Sequence, residues 1–213
     1  MPPSLEQLRL WLVKWRWYER DSLPWRRARI HYEMARRGAF VRWPIQGEVV
    51  EMFREGRLEV GEGTLFEPGV WLTGGERGRI RIGSGTFLNQ TVMVAAAELV
   101  EIGSHCMLAN GSLVTDADHR FDDLSRPITH QGFTAKGPTR VGDNVWLGAG
   151  AVVTGGVTIG ERSVVGAGSV VTRDIPPGVV AAGAPAQVLR EIDFAGQEDR
   201  EARNSSSSPD SIE

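Results

Sequence analysis

An aliphatic residue returns at every sixth position along much of this 213-residue chain, and few architectures can use a period of six. Val60, Phe66 and Leu72 form one run, Ile82, Leu88 and Val94 a second, and Ile102, Leu108 and Val114 a third. A longer run holds Val141, Leu147, Val153, Ile159, Val165, Val171, Pro177 and Gly183 in one phase. Fifteen of these seventeen positions are Val, Ile, Leu or Phe, where a 41% hydrophobic composition predicts about seven. The next residue is Gly or Ala in eleven of the seventeen, eight of them Gly, which accounts for much of the surplus in a glycine count of 26. Six residues make one short strand and one tight corner, with the aliphatic side chain inward and a small residue letting the backbone turn. Three such units complete a triangular coil. A single coil cannot bury its own apolar face, so coils stack into a β-solenoid.

The phase slips by four residues after Leu72, by two after Val94, and by three plus a long insertion between Val114 and Val141. That insertion, an extruded loop over 115–140, concentrates polar chemistry in Asp116, Asp118, His119, Asp122, Asp123, Arg126 and His130. Loops held by a rigid scaffold are where chemistry usually sits. The flanks differ in kind. Residues 1–45 place Leu5, Leu8, Leu12 and Trp15 at helical spacing among basic residues, and Pro24 separates this helix from a second expected from Trp25 to Arg37, with Gly38 at its stop position. The solenoid is expected over 46–195. The stretch Gly196–Glu213 is acidic, serine-rich and almost without apolar residues, the composition of a disordered tail.

Ten basic and four acidic residues give segment 1–45 a charge of +6, against −5 for 46–189 and −4 for 190–213, which sum to the net −3. A nucleic-acid partner has no support in so local a bias. One cysteine, Cys106, forms no internal disulfide, and with no signal-like or membrane-spanning stretch a cytoplasmic setting is expected. Cys106 occupies a small inward repeat position filled elsewhere by Ser, Thr, Val or Ala, so it reads as packing rather than as an acyl-carrying nucleophile.

Over residues 141–192, with Trp146, the run GAGSVV, a Pro-Pro-Gly and then GAPAQVLR, the chain resembles the hexapeptide-repeat acyltransferases, specifically the sugar and xenobiotic O-acetyltransferases. The likeness spans roughly 55–192. It implies a mainly β fold, a left-handed parallel β-helix, here with a helical N-terminal extension, assembled as a homotrimer with active sites between subunits. It implies acetyl-CoA as donor, a hydroxylated sugar or glycan as acceptor, and no metal.

In such enzymes a histidine on the extruded loop is the base, and VTDADHRFDD puts His119 there. An imidazole near neutral pKa takes a proton from the attacking alcohol and returns it to the departing thiolate. Its second nitrogen needs an acceptor, for which Asp116, Asp123 and a backbone carbonyl stay open. His105 and His130 lack the motif context, and His31 lies in the basic extension. Four histidines without paired spacing do not resemble the zinc site of γ-class carbonic anhydrases, which share this type of fold.

The resemblance further implies Trp146 along the pantetheine arm, with Gly148, Ala149, Ala167 and Gly168 receiving its amides and a backbone N–H near Ala149 as oxyanion donor. Thr172, Arg173 and Arg190 match positions that meet the adenosine and phosphates, while Gln187 replaces a frequent basic residue. Asn89 matches a hydroxyl-recognising position, and Asp116 and Phe121 complete the acceptor set. Two acidic residues common in relatives are replaced around Ala95–Ala97, so an acceptor other than a simple maltoside or galactoside is expected. N-acetyl transfer to an amino sugar and a non-catalytic scaffold are the competing readings. For the Trp-rich extension two readings stay open, a cap on the solenoid's end and a peripheral contact with an anionic membrane.

Overall fold

A computed structural model describes residues 4–18 and 23–193. The acidic tail expected to be disordered lies outside the described residues.

Each coil contributes one strand to each of three parallel sheets, which form the faces of a prism. Face A runs from Phe40–Val41 through Leu65–Phe66, Phe87–Leu88, Met107–Leu108 and Trp146–Leu147 to Val164–Val165 and Val179–Gly183. Face B stacks Ile45–Gly47, Val70–Thr73, Met93–Ala95, Leu113–Thr115, Val152–Val153 and Val170–Val171. Face C stacks Leu58–Val60, Arg79–Ile82, Leu99–Ile102, Thr139–Val141 and Thr158–Ile159, with Ile175 bridged to Ile159 as a last rung. The period-six residues point inward: Phe66, Leu72, Leu88, Val94, Leu108, Val114, Leu147, Val153, Ile159, Val165 and Val171 are each completely buried. Burying a side chain of this size stabilises the fold by about 1.5–3 kcal/mol. These are the stacked coils that the repeat predicts, with their strands parallel as the family resemblance implies.

Three expectations need correction. The solenoid begins at Phe40, not 46, because Phe40–Val41 pairs with Leu65–Phe66 and Ile45–Gly47 with Val70–Thr73. The period of six breaks after Val171: Pro177 and Gly183 are exposed, and Ile175 and Ala181 fill the core instead, because the chain shortens its last corner. A short helix at Val49–Arg54 interrupts the first coil, where no sequence signal predicted one.

Two helices precede the solenoid, α1 (Leu5–Tyr18) and α2 (Pro24–Ala35), with the short Val49–Arg54 helix as α3. α2 starts with Pro at its first position, where a missing N–H costs nothing, and its end is closed by Gly38 at φ +68°. Ile30 and Met34 of α2 join Val49, Met52 and Phe53 of α3 in the buried core, closing the solenoid's first coil. Glu33, also buried, is held by Arg29, Arg36 and Arg37. No described helix is long and apolar enough to cross a membrane.

The corner from face C to face A carries a column of glycines, Gly61, Gly83, Gly103, Gly142 and Gly160. A Cβ on Gly83 would lie 2.5 Å from backbone atoms of Gly103 and Ser104, and one on Gly160 would lie 2.3 Å from the Pro177 nitrogen. Behind this column, hydroxyls tie one coil to the next: Thr64 donates to the Gly83 carbonyl at 3.0 Å and Thr86 to that of Gly103 at 2.8 Å. Cys106 takes the same place, its thiol donating to the Gly142 carbonyl at 3.0 Å.

The outward residues divide the faces. Face A shows Phe40, Leu65, Phe87, Met107, Trp146 and Val164 in one register column, and face B shows Trp71, Met93, Leu113, Val152 and Val170. Face C instead alternates charge: Arg81 bridges Glu59 at 3.2 Å and Glu101 at 3.0 Å, and Arg140 meets Glu101 at 2.8 Å.

Candidate active site

Every phase slip read before Val141 falls at the corner from face B to face C. In the first coil α3 leaves there, in the second the Gly74–Gly78 loop, and in the fourth the 116–138 excursion. The excursion leaves as Ala117–His119 and returns antiparallel as Phe133–Ala135, with His119 opposite Phe133. The Phe133 ring lies 4.3 Å from the imidazole, tilted by 38°. Between this hairpin and the Gly74–Gly78 loop lies a cavity of about 670 Å³ whose wall includes His119, Phe133, Met93, Glu76 and Arg77, with Ala95, Ala96 and Ala97 among its small residues.

His119 is exposed, and no described side chain or carbonyl engages its nitrogens. Both carboxylates considered as its partner are committed elsewhere. Asp116 is fully buried and turned away, accepting from the backbone N–H groups of Ala97 at 2.6 Å, Glu98 at 2.7 Å and Leu99 at 2.6 Å. It fastens the base of the hairpin to the preceding coil, so its expected acceptor-binding role is corrected to a structural one: no face of the carboxylate meets solvent. Asp123 accepts from the Ser125 hydroxyl at 2.6 Å, and this bond with one from the Ser125 N–H lowers its pKa below the ordinary carboxylate range. Phe121 is likewise displaced, 71% exposed on the far part of the loop and outside the cavity wall.

The other candidates sit one face away. Asn89, Gly148, Ala149, Ala167 and Gly168 occupy the corner from face A to face B, and the Trp146 ring stands half-exposed on face A beside it. Asn89 is partly buried, its carbonyl accepting from the Gln90 N–H at 2.8 Å. Gly148 is small because a Cβ would lie 2.5 Å from the Ala167 nitrogen, so coil stacking requires it. Ala149 and Ala167 are exposed, and their N–H groups find no acceptor among the described residues, whereas the Gly168 N–H donates to the Ala149 carbonyl at 2.8 Å. Arg190 lies on Ala186–Glu191, a strand that folds back antiparallel on Val179–Gly183 and places Arg190 opposite Val180 on face A. Thr172 and Arg173 are exposed at the B–C corner of the last coil, on the same edge as His119. One protomer therefore presents the histidine on one edge and the free N–H groups of Ala149 and Ala167 on another.

Three residues escaped the sequence reading: Phe133, Glu76 and Arg77. The four-residue slip after Leu72 was the available signal for the last two, since it lengthens the loop that brings them to the cavity. His105 sits at a C–A corner with φ +57°, and His130 ends an exposed 3-10 turn (Ile128–His130), both away from the cavity. Burial raises the Cys106 thiol's pKa, which disfavours a nucleophilic thiolate. Among the described residues no group of three or more His, Cys, Asp or Glu is placed to hold a metal.

Residues 138–173 match the family described as bacterial transferase hexapeptide (six repeats). Galactoside O-acetyltransferase of Escherichia coli is 37% identical over 148 residues, covering 68% of this chain and 66% of the relative. Nodulation protein L of Rhizobium meliloti is 40% identical over 135 residues, covering 63% of this chain and 71% of the relative. The solved structure of a galactoside acetyltransferase in complex with coenzyme A superposes with a TM-score of 0.59 at 32% identity, covering 83% of this chain and 86% of that one. The chain belongs to the hexapeptide-repeat acyltransferase family, and it spans about two thirds of the length of the curated relatives it matches.

Proposed function

We propose that this protein transfers an acetyl group from acetyl-CoA to a hydroxyl of a sugar or other hydroxylated acceptor, directly and within one ternary complex. The observation that carries the reading is His119 in the wall of a 670 Å³ cavity with its nitrogens unengaged. The imidazole accepts the acceptor's hydroxyl proton while that oxygen attacks the thioester carbonyl carbon. As the C–S bond breaks, the imidazolium returns the proton to the thiolate, leaving the ester and the free thiol. Ring contact with Phe133 orients the imidazole in place of a carboxylate.

The free N–H groups of Ala149 and Ala167 suit the amide and thioester oxygens of the donor, with Trp146 along its arm. Thr172, Arg173 and Arg190 would meet its phosphate end. That His119 and the free N–H groups lie on different edges supports a site completed by two copies. The apolar outward columns of faces A and B supply surface for a trimeric assembly, whereas the charged column of face C is already paired within the protomer. On the acceptor side, the hydroxyls of Thr73 and Thr115 are spent on Glu48 and on the Ala117 backbone. That leaves Glu76 and Arg77 as the polar rim of a cavity floored by alanines, which supports an acceptor with more apolar surface than a free disaccharide.

Mass spectrometry of a pooled panel of sugars, amino sugars and glycosides with acetyl-CoA tests the reading. It expects a base-labile acetylated product from the wild type and none from a folded His119→Ala variant. A base-stable product establishes N-transfer instead, and failure to bind acetyl-CoA at all establishes the scaffold. Mixing unfolded and refolded His119→Ala and Trp146→Ala chains should restore part of the activity if two copies build one site.

A further inference from the structure

We propose that the outer surface of the N-terminal extension, α1 above all, docks on an anionic lipid surface. The structure separates two tasks within the extension. The inner side of α2 caps the solenoid through Ile30 and Met34, both buried. Among its described side chains α1 gives none to that cap: Leu5, Leu8, Trp11 and Leu12, which share one helix face, are 86%, 41%, 58% and 49% exposed, and Leu10 and Val13 on its other sides are exposed as well. The outer side of α2 continues the pattern with Trp25 and Tyr32 exposed; Arg29 lies over the Tyr32 ring at 5.7 Å, and the buried Arg26, paired with Glu51, lies 5.3 Å from the Trp25 ring. An apolar helix face left in water is costly in a solenoid whose own end is already closed.

Charge selects the occupant. The extension carries +6 over residues 1–45, of which Arg26 and Arg42 are paired with Glu51 and Glu67 beyond it, and α1 itself sets Arg9 and Lys14 against the single acid Glu6 among its described side chains. A second copy of this surface would bring like charge against like, whereas a bilayer of anionic headgroups gains attraction from the same residues that let the Leu and Trp side chains reach the acyl boundary. Exposed Trp and Tyr are the side chains that settle at headgroup depth. α1 has 14 residues, and with no described helix able to span, it lies in the interface plane. This inference stands apart from the acyl-transfer reading, because its readout needs no turnover.

The test is flotation of the full chain with phosphatidylcholine vesicles and with mixed phosphatidylcholine–phosphatidylglycerol vesicles, at about 0.1 M and about 1 M salt, where the screening length falls from roughly 10 to roughly 3 Å. The wild type should float with the acidic vesicles at low salt only. Leu8→Glu with Leu12→Glu, which keeps good helix formers in place, should lower the bound fraction by roughly tenfold or more. Arg9→Gln and Lys14→Gln should each lower it by about fivefold. Wild-type protein that stays soluble with acidic vesicles, or that floats equally with neutral ones, overturns the proposal. So does a fall in oligomer mass for the Leu8→Glu, Leu12→Glu variant in sedimentation, which would place α1 between copies of the chain.

Discussion

Two edges of the same prism have been used in opposite ways. At the C–A edge every coil turns through a glycine whose missing Cβ is required by the next coil's backbone, and a Thr, Ser or Cys often ties the layers together behind it. At the B–C edge the corner residues Thr73, Ala95, Thr115, Thr154 and Thr172 carry side chains, and three coils leave the prism there as a helix, a loop and a hairpin, although glycines are required there too, a Cβ on Gly78 lying 1.9 Å from the Ala96 carbonyl oxygen. A solenoid can stay in register if one edge is locked, and the other is then free to accept insertions. The histidine and its cavity are on the free edge.

The sharpest break in this comparison is chemical. His119→Ala should lower acetyl transfer by about 10²–10⁴-fold with the thermal midpoint nearly unchanged, since the imidazole is exposed and its ring contact is with Phe133, itself exposed on the same hairpin; a large shift of the midpoint would make the residue structural. Asp116→Ala should come next. Removing a buried carboxylate that receives three N–H bonds strands those donors, and about 3 kcal/mol of stability should be lost in denaturant titrations. The two edges are compared directly by Gly83→Ala and Gly75→Ala. The first forces a Cβ against backbone at 2.5 Å and should cost about 2–3 kcal/mol. The second has open space and only a left-handed φ of +50° to resist it, so about 1 kcal/mol is expected. Equal costs would remove the distinction between a corner locked by stacking and the tip of an insertion that leaves it.

Smallest of all should be an acid effect at the cap. Burial alone would raise the pKa of Glu33, but hydrogen bonds from Arg37 and Arg36 outweigh it and hold the carboxyl below its ordinary value. A depressed carboxylate contributes stability above its unfolded pKa near 4.5 and loses it as pH falls through the lower folded value. Thermal midpoints should therefore drop below about pH 4.5 less steeply in Glu33→Gln than in the wild type.

The coil architecture was legible because each inward residue answers to one local rule, aliphatic every six positions. The site was legible only in part. His119 announced itself through its loop, yet Asp116, three residues earlier in the same polar run, is turned into the wall by backbone N–H groups nineteen to seventeen positions away. No local pattern reports that. The same holds for Arg77 and Phe133, which meet His119's cavity from two excursions that sequence separates and stacking brings together. The last coil misled for a related reason: its final corner is shorter, so Ile175 and Ala181, paired with Ile159 and Val165 of the coils beneath, take the inward places that the period assigned to Pro177 and Gly183.

The alternating column Glu59, Arg81, Glu101, Arg140 acts as a parity check on growth of the solenoid. Duplicating or deleting a single coil in this stretch would set two glutamates or two arginines side by side on adjacent strands, a repulsive pair. Adding or removing two coils would restore the alternation. Lengthening by unequal exchange is thereby biased toward even steps, and the number of coils is written on the one face that carries no part of the proposed chemistry.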